Sequence, residues 1–146
     1  QMCEVITRLR TAGGVQRAGA GIEAVVNRSV NLVCNKGNIL QDGQFLVHQK
    51  SKIILRNRQH VQSSGLRKSE MLPPQEIAVG IVQVVKNNLG ATEDEIIMSL
   101  SRSLGFKATS GTLRKVISEV IEQLLFKGAI LREDTLLVEN KEAVIE

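Results

Sequence analysis

The sequence predicts a mainly α chain with small β-hairpins, an α+β architecture built from two tandem copies of one small unit. Three observations lead there. Glu4 to Val47 overlays Glu95 to Val138 at a constant offset of 91 residues without gaps, and eleven of those 44 positions are identical. The identities include Leu9/Leu100, Gly14/Gly105, Val25/Val116, Gly37/Gly128 and Ile39/Ile130, and eight further pairs exchange one apolar residue for another. They fall on core spacing and turn glycines, so the copies share a fold; a period this long, seen only twice, marks a tandem and not a solenoid. Apolar residues also recur at helical spacing through each copy. Each copy then closes on two short β-prone runs joined by a tight turn.

The second copy is the fuller one. Pro73-Pro74 followed by Gln75 and Glu76 reads as a helix start, because proline in the first turn gives up an N–H that would be unpaired anyway. Ile77, Ile81, Val82, Val84 and Val85 form its stripe, which stops near Asn88 and Gly90. Thr92-Glu93-Asp94-Glu95 has the capping-box pattern, in which hydroxyl and carboxylate satisfy orphan N–H groups reciprocally. The helix it opens turns Ile96, Ile97, Leu100 and Leu104 inward and ends at Gly105, a residue suited to the left-handed position after a helix. A longer helix begins near Ser110, where Leu113, Val116, Ile117, Val120, Ile121, Leu124 and Leu125 recur at helical spacing on one face. Gly128 ends it. Two β segments, Ala129 to Arg132 and Thr135 to Val138, then flank a tight turn at Glu133-Asp134, matched in the first copy by Asp42-Gly43.

Helix, helix, longer helix and β-hairpin is the winged-helix order, with the second and third helices as a helix-turn-helix and the hairpin as the wing. The first copy begins at the second helix of that order and lacks a counterpart of Pro74 to Leu89. Either that helix lies upstream of this fragment or something else covers the bared apolar face; were it absent, a homodimer or a swapped element would be expected to do so. The expected organisation is a first winged-helix-like unit over 1–47, shortened at its N-terminus, a basic linker over 48–72, a second unit over 73–140 and a tail over 141–146. Within the linker, Lys52 to Leu55 is a candidate edge strand and Gln62 to Gly65 a candidate exposed loop.

Composition bounds the class. At 42% hydrophobic and 23% charged residues with two prolines, the chain is an ordinary globular one and not a disordered one. It has neither an apolar run of about 18 residues nor a signal-like start, so it reads as soluble and cytoplasmic, with no membrane partner. Opening at Gln1 without an initiator methionine, it reads as a fragment of a longer protein. Cys34 stands where the second copy has Leu125, the behaviour of a buried thiol acting as a small hydrophobe.

Most site chemistry is missing. Gly19-Ala20-Gly21-Ile22-Glu23-Ala24 fits G-x-G-x-x-A with Asp42 about 20 residues on, yet no hydrophobic strand precedes it, so it reads as a glycine-rich helix start. Cys3, Cys34, His48 and His60 lack the paired spacing of a metal site. His48 and His60 lie in or beside the basic linker and read as solvated imidazoles. No catalytic residue, metal or cofactor is expected in this chain.

Cations are the stronger signal. Residues 1–71 carry eleven Lys/Arg against four Asp/Glu, whereas residues 72–146 carry eight against eleven. The excess is densest between the copies, where Lys50, Lys52, Arg56, Arg58, Arg67 and Lys68 face only Glu70. Such a strip suits a polyanion. A helix-turn-helix sets its second helix against nucleic acid, which adds Lys107, Arg114 and Lys115 in the second copy and Arg17 in the first. Glu119 and Glu122 share the exposed face with Arg114 and Lys115, the alternative being a merely solvated mixed surface. With no Trp and no Tyr, and with Phe45, Phe106 and Phe126 mostly on core positions, base-stacking platforms are not expected. Binding would be phosphate-directed.

The chain resembles the C-terminal domain, of unassigned function, of large bacterial superfamily I DNA helicase-like proteins that also carry a nuclease-like domain. The matching stretches are Gly14-Val15-Gln16-Arg17-Ala18-Gly19, Arg56-Asn57-Arg58, Pro73-Pro74-Gln75-Glu76-Ile77-Ala78 and Leu104-Gly105-Phe106-Lys107-Ala108-Thr109. The resemblance implies an accessory module whose ATPase and nuclease machinery, and helicase partner domains, lie upstream; it carries over no catalytic residue. The expectation is a non-catalytic DNA-binding module, with a protein-interaction or dimerisation module as the alternative.

Overall fold

The structure, a computed structural model, describes residues 1–142; of the tail expected over 141–146, residues 143–146 lie outside the described part. It is α+β, with five helices and two antiparallel two-stranded sheets, and it divides into a unit over Gln1–Lys52 and a unit over Ile53–Glu146. The first unit holds α1 (Met2–Ala12), α2 (Ala20–Asn35) and a hairpin of β1 (Ile39–Asp42) and β2 (Phe45–His48). The second holds α3 (Pro74–Asn87), α4 (Glu93–Ser103), α5 (Gly111–Phe126) and a hairpin of β3 (Ile130–Glu133) and β4 (Leu136–Glu139). Every boundary of α1, α2, β1 and β2 reappears 91 residues later in α4, α5, β3 and β4. The repeat is structural to the residue.

The second unit owns the core. Ile77, Ile81 and Val85 of α3 are fully buried against Ile96, Ile97 and Leu100 of α4 and Leu113, Ile117 and Ile121 of α5, with Ile130 and Leu137 of the hairpin closing the base. The α4 start is the predicted capping box: Thr92 Oγ1 accepts from the Glu95 N–H at 3.3 Å and Glu95 accepts from the Thr92 N–H at 2.8 Å. Those hydrogen bonds from Thr92 hold the Glu95 carboxyl below the usual carboxylate range. Ser110 caps α5 by accepting from the Leu113 N–H at 3.1 Å. Ala91 exchanges both backbone hydrogen bonds with Leu137, at 3.0 and 2.8 Å, which ties the α3–α4 turn to the hairpin.

Both hairpins sit one residue later than the sequence reading placed them. Asp42 pairs with Phe45 and Glu133 with Leu136, so the two-residue loops are Gly43-Gln44 and Asp134-Thr135. Their left-handed residues, Gly43 at φ 55° and Asp134 at φ 52°, occupy the first loop position, not the second position assumed for an Asp-Gly turn. Cys34 is half-buried, and Phe126, expected at a core position, is 94% exposed at the end of α5.

The segment read as a 48–72 linker divides at the unit boundary, with Ile53 to Leu72 belonging to the second unit. No strand forms over Lys52 to Leu55; instead Leu55 is half-buried against the core. Of the expected exposed loop, Gln62 and Ser63 are irregular and exposed, a short 3-10 helix, Ser64–Arg67, takes its second half, and another, Ser69–Met71, follows. Gly80 on α3 is what admits the segment, since a Cβ there would stand 2.4 Å from Leu100 Cδ1 and 3.0 Å from Leu55 Cδ1. No helix among the described residues is long and apolar enough to cross a membrane.

Candidate phosphate-binding cleft

The expected cation strip has two fates in the second unit. Arg56 and Arg58 converge on Glu76 in the first turn of α3. Glu76 is 2% exposed; it accepts from Arg58 Nη1 and Nη2 at 2.8 Å each, from Arg56 Nη2 at 2.9 Å and from the Arg56 backbone N–H at 2.7 Å. Burial pushes the Glu76 carboxyl up, but the hydrogen bonds from Arg58 and Arg56 outweigh it and hold the group below its usual range. Arg58 is itself buried, with its fork closed on one carboxylate, so its guanidinium is a structural tie and not the phosphate contact expected of it. The Arg56 head is 60% exposed but is drawn to the same carboxylate. Sequence spacing gave no hint of this cluster, because its members lie 18 and 20 residues apart across an irregular segment.

That tie positions a cleft. The Arg58 N–H donates to the Leu104 carbonyl at 2.8 Å, laying residues 57–59 across the C-terminus of α4. There the helix ends in a Schellman turn: the Gly105 N–H reaches the Arg102 carbonyl at 2.9 Å and the Phe106 N–H reaches Ser101 at 3.0 Å. Gly105 has φ +87°, and a Cβ on it would lie 2.4 Å from Asn57 Oδ1 and 2.6 Å from the Gln59 nitrogen. Two stretches distant in sequence, Arg56-Asn57-Arg58 and Leu104-Gly105-Phe106-Lys107, thus meet at one point.

Around it opens a cleft of about 490 Å³ lined by Arg58, Gln59, His60, Ser64, Arg67, Leu104, Gly105, Phe106 and Lys107. Arg67 and Lys107, expected phosphate contacts from separate parts of the sequence, are brought together here, and His60, read as a solvated imidazole, joins them. The lining offers guanidinium, ammonium, imidazole, amide and hydroxyl groups and no carboxylate. Such a donor set suits an anion and supplies no carboxylate for acid–base work or for a hard cation.

The remaining expected contacts are distributed. Lys50 and Lys52 are exposed at the end of the first unit, Arg17 is exposed in the α1–α2 turn, and Lys68 is exposed between the 3-10 helices. Arg114 pairs with Asp94 of α4, and Lys115 Nζ lies 4.0 Å from Glu119. The face of α5 that would read a groove therefore carries its own counter-charges. Among the described residues no group of three or more His, Cys, Asp or Glu is placed to hold a metal ion. No family model, curated protein or solved structure matches this chain.

Proposed function

We propose that this chain is a non-catalytic accessory module of a superfamily I helicase-like protein, made of two winged-helix-like units that hold DNA by its phosphates. The observation that carries the reading is the carboxylate-free cleft where Arg67, Lys107 and His60 converge beside the α4–α5 turn. Cationic side chains gathered at such a turn position a duplex without reading its sequence. The order α3, α4, α5, β3, β4 supports the winged-helix reading, with α4 and α5 as the helix-turn-helix and the hairpin as the wing. Contact is centred on the cleft and not on α5, because Arg114 and Lys115 are already answered by Asp94 and Glu119.

The test is a salt titration of binding to duplex, forked and single-stranded DNA. Six expected cations outside the Glu76 cluster and the α5 pairs, Arg17, Lys50, Lys52, Arg67, Lys68 and Lys107, set an expected slope of log K against log salt of about −5.4 on duplex. Arg67→Ala and Lys107→Ala should each reduce that slope by about 0.9. Absence of binding at low salt, or an unchanged slope in the double variant, overturns the proposal.

A further inference from the structure

The cleft beside the α4–α5 turn is an addition to the repeat. Gly14 of the first unit is equivalent to Gly105, yet nothing lies within 4 Å of a Cβ added there, whereas at Gly105 residues 57 and 59 close over the turn. The two residues after the glycine differ as well: the first copy has Val15-Gln16 where the second has Phe106-Lys107. An aromatic ring and a cation thus enter together, at the copy of the turn that has a cleft against it.

The sequence reading put Phe106 among core positions. In the structure it is half-buried, packed against the core cluster and lining the cleft as well. Of the two apolar side chains in the lining, Leu104 is fully buried, so Phe106 presents the apolar surface. Its backbone is fixed, because the Phe106 N–H donates to the Ser101 carbonyl and the neighbouring Leu104 carbonyl accepts from the Arg58 N–H. Arg67, Lys107 and His60 are exposed and supply the polar part of the same lining.

A phosphate group alone leaves such a site mostly unfilled. At about 490 Å³ the cleft falls in the range of about 300–1,000 Å³ typical of sites for small organic molecules, and a phosphodiester has no apolar face to set against a ring. A nucleotide joins both requirements in one ligand, with its phosphate at Arg67 and Lys107 and its base on Phe106. In a duplex each base face is covered by its neighbours, so a base is free to stack on protein only where it is unpaired and out of the stack. Every base has a π-face, so the preference is for the unpaired state and not for a sequence.

Resting on the reading of this cleft as a phosphate site, we propose that it takes one unpaired nucleotide where duplex gives way to single strand, holding the phosphate with Arg67 and Lys107 and stacking the base on Phe106. The test measures binding of the full chain to three labelled DNAs with the same number of phosphates: a blunt duplex, a fork, and the same fork with abasic arms. The intact fork should bind about tenfold tighter than the abasic fork, the gain from stacking a single base. Phe106→Leu, which keeps an apolar side chain against the core, should remove that gain and leave blunt-duplex binding and its salt slope unchanged. Phe106→Tyr, which keeps the ring, should preserve the gain. Lys107→Ala should weaken binding of all three DNAs. An abasic fork bound as tightly as the intact one, which needs no variant to observe, or a gain that survives Phe106→Leu, overturns the inference and leaves the phosphate reading standing. Absence of binding at low salt, or indifference of all three DNAs to Lys107→Ala, overturns the phosphate reading and the inference with it.

Discussion

At the scale of single residues, Arg58 and Glu76 are the buried charged pair among the described residues. A buried carboxylate that loses its partner is costly, whereas an exposed pair contributes little. Arg58→Ala removes the buried fork and leaves Glu76 to Arg56 alone, so it should cost about 3 kcal/mol of second-unit stability in urea unfolding. Arg56→Ala removes a head that is 60% exposed and should cost about 1 kcal/mol or less. The pH dependence has a definite sign. Because the folded Glu76 carboxyl lies below its unfolded value of about 4.3, its contribution is fully present above that pH and is lost as pH falls through the lower folded value. The stability gap between the wild-type chain and Arg58→Ala should therefore narrow below about pH 4. A constant gap from pH 7 to pH 3 would show that Arg58 acts through packing alone. Nothing in the one-dimensional pattern separates Arg58 from Arg67: both read as cations in a basic stretch, and only the folded path from residue 53 to residue 76 makes one a tie and leaves the other in a cleft.

At the scale of elements, the internal repeat supplies a matched control for one turn. Gly14 and Gly105 are equivalent, both follow a helix and both have positive φ, at 68° and 87°. Around Gly14 nothing lies within 4 Å of an added Cβ, whereas at Gly105 the Asn57 side chain and the Gln59 backbone are already there. Gly14→Ala should thus cost only the left-handed strain, about 1 kcal/mol. Gly105→Ala adds an overpacking cost against backbone, for a total of about 3 kcal/mol, and should also weaken DNA binding by displacing residues 57–59 from the cleft. Equal costs in thermal unfolding would mean that the close approach contributes nothing. The helices themselves were legible because their signals are local. The Thr92 box, the Ser110 cap and the apolar stripe of α5 each declare their position within four residues. The hairpin loops were misplaced by one residue because Gly and Asp both take positive φ, and composition alone does not say which loop position needs it. The segment after Lys52 was illegible for a different reason: its order comes from long-range packing of Leu55 beneath Gly80 and from the Arg58–Leu104 hydrogen bond, and neither leaves a periodic trace.

At the scale of the molecule, the same topology is given two different interiors. Among the described residues, the second unit buries sixteen apolar side chains in one cluster, while the first unit buries only Val26. Apolar area removed from water is the main favourable term in folding, at about 25 cal/mol per Å², and a small unit that buries so few side chains recovers little of it against the entropy of ordering its chain. Backbone hydrogen bonding does not distinguish the two, since α1, α2 and their hairpin are as regular as α4, α5 and theirs. Stability should therefore be uneven along the chain in the manner of separate cooperative units. In native-state hydrogen exchange, amides of α2 should exchange through openings of low free energy, and those of the equivalent α5 should exchange only near global unfolding of the second unit. Thermal unfolding should be biphasic, with Val30→Ala lowering the first transition alone and Ile121→Ala, its equivalent, lowering the second alone. The Ile121 change should cost about 2–5 kcal/mol, and the Val30 change less because that side chain is already half in water. A single transition with equal protection in α2 and α5 would mean that the first unit's apolar face is already covered, by a segment of the same chain or by a second copy.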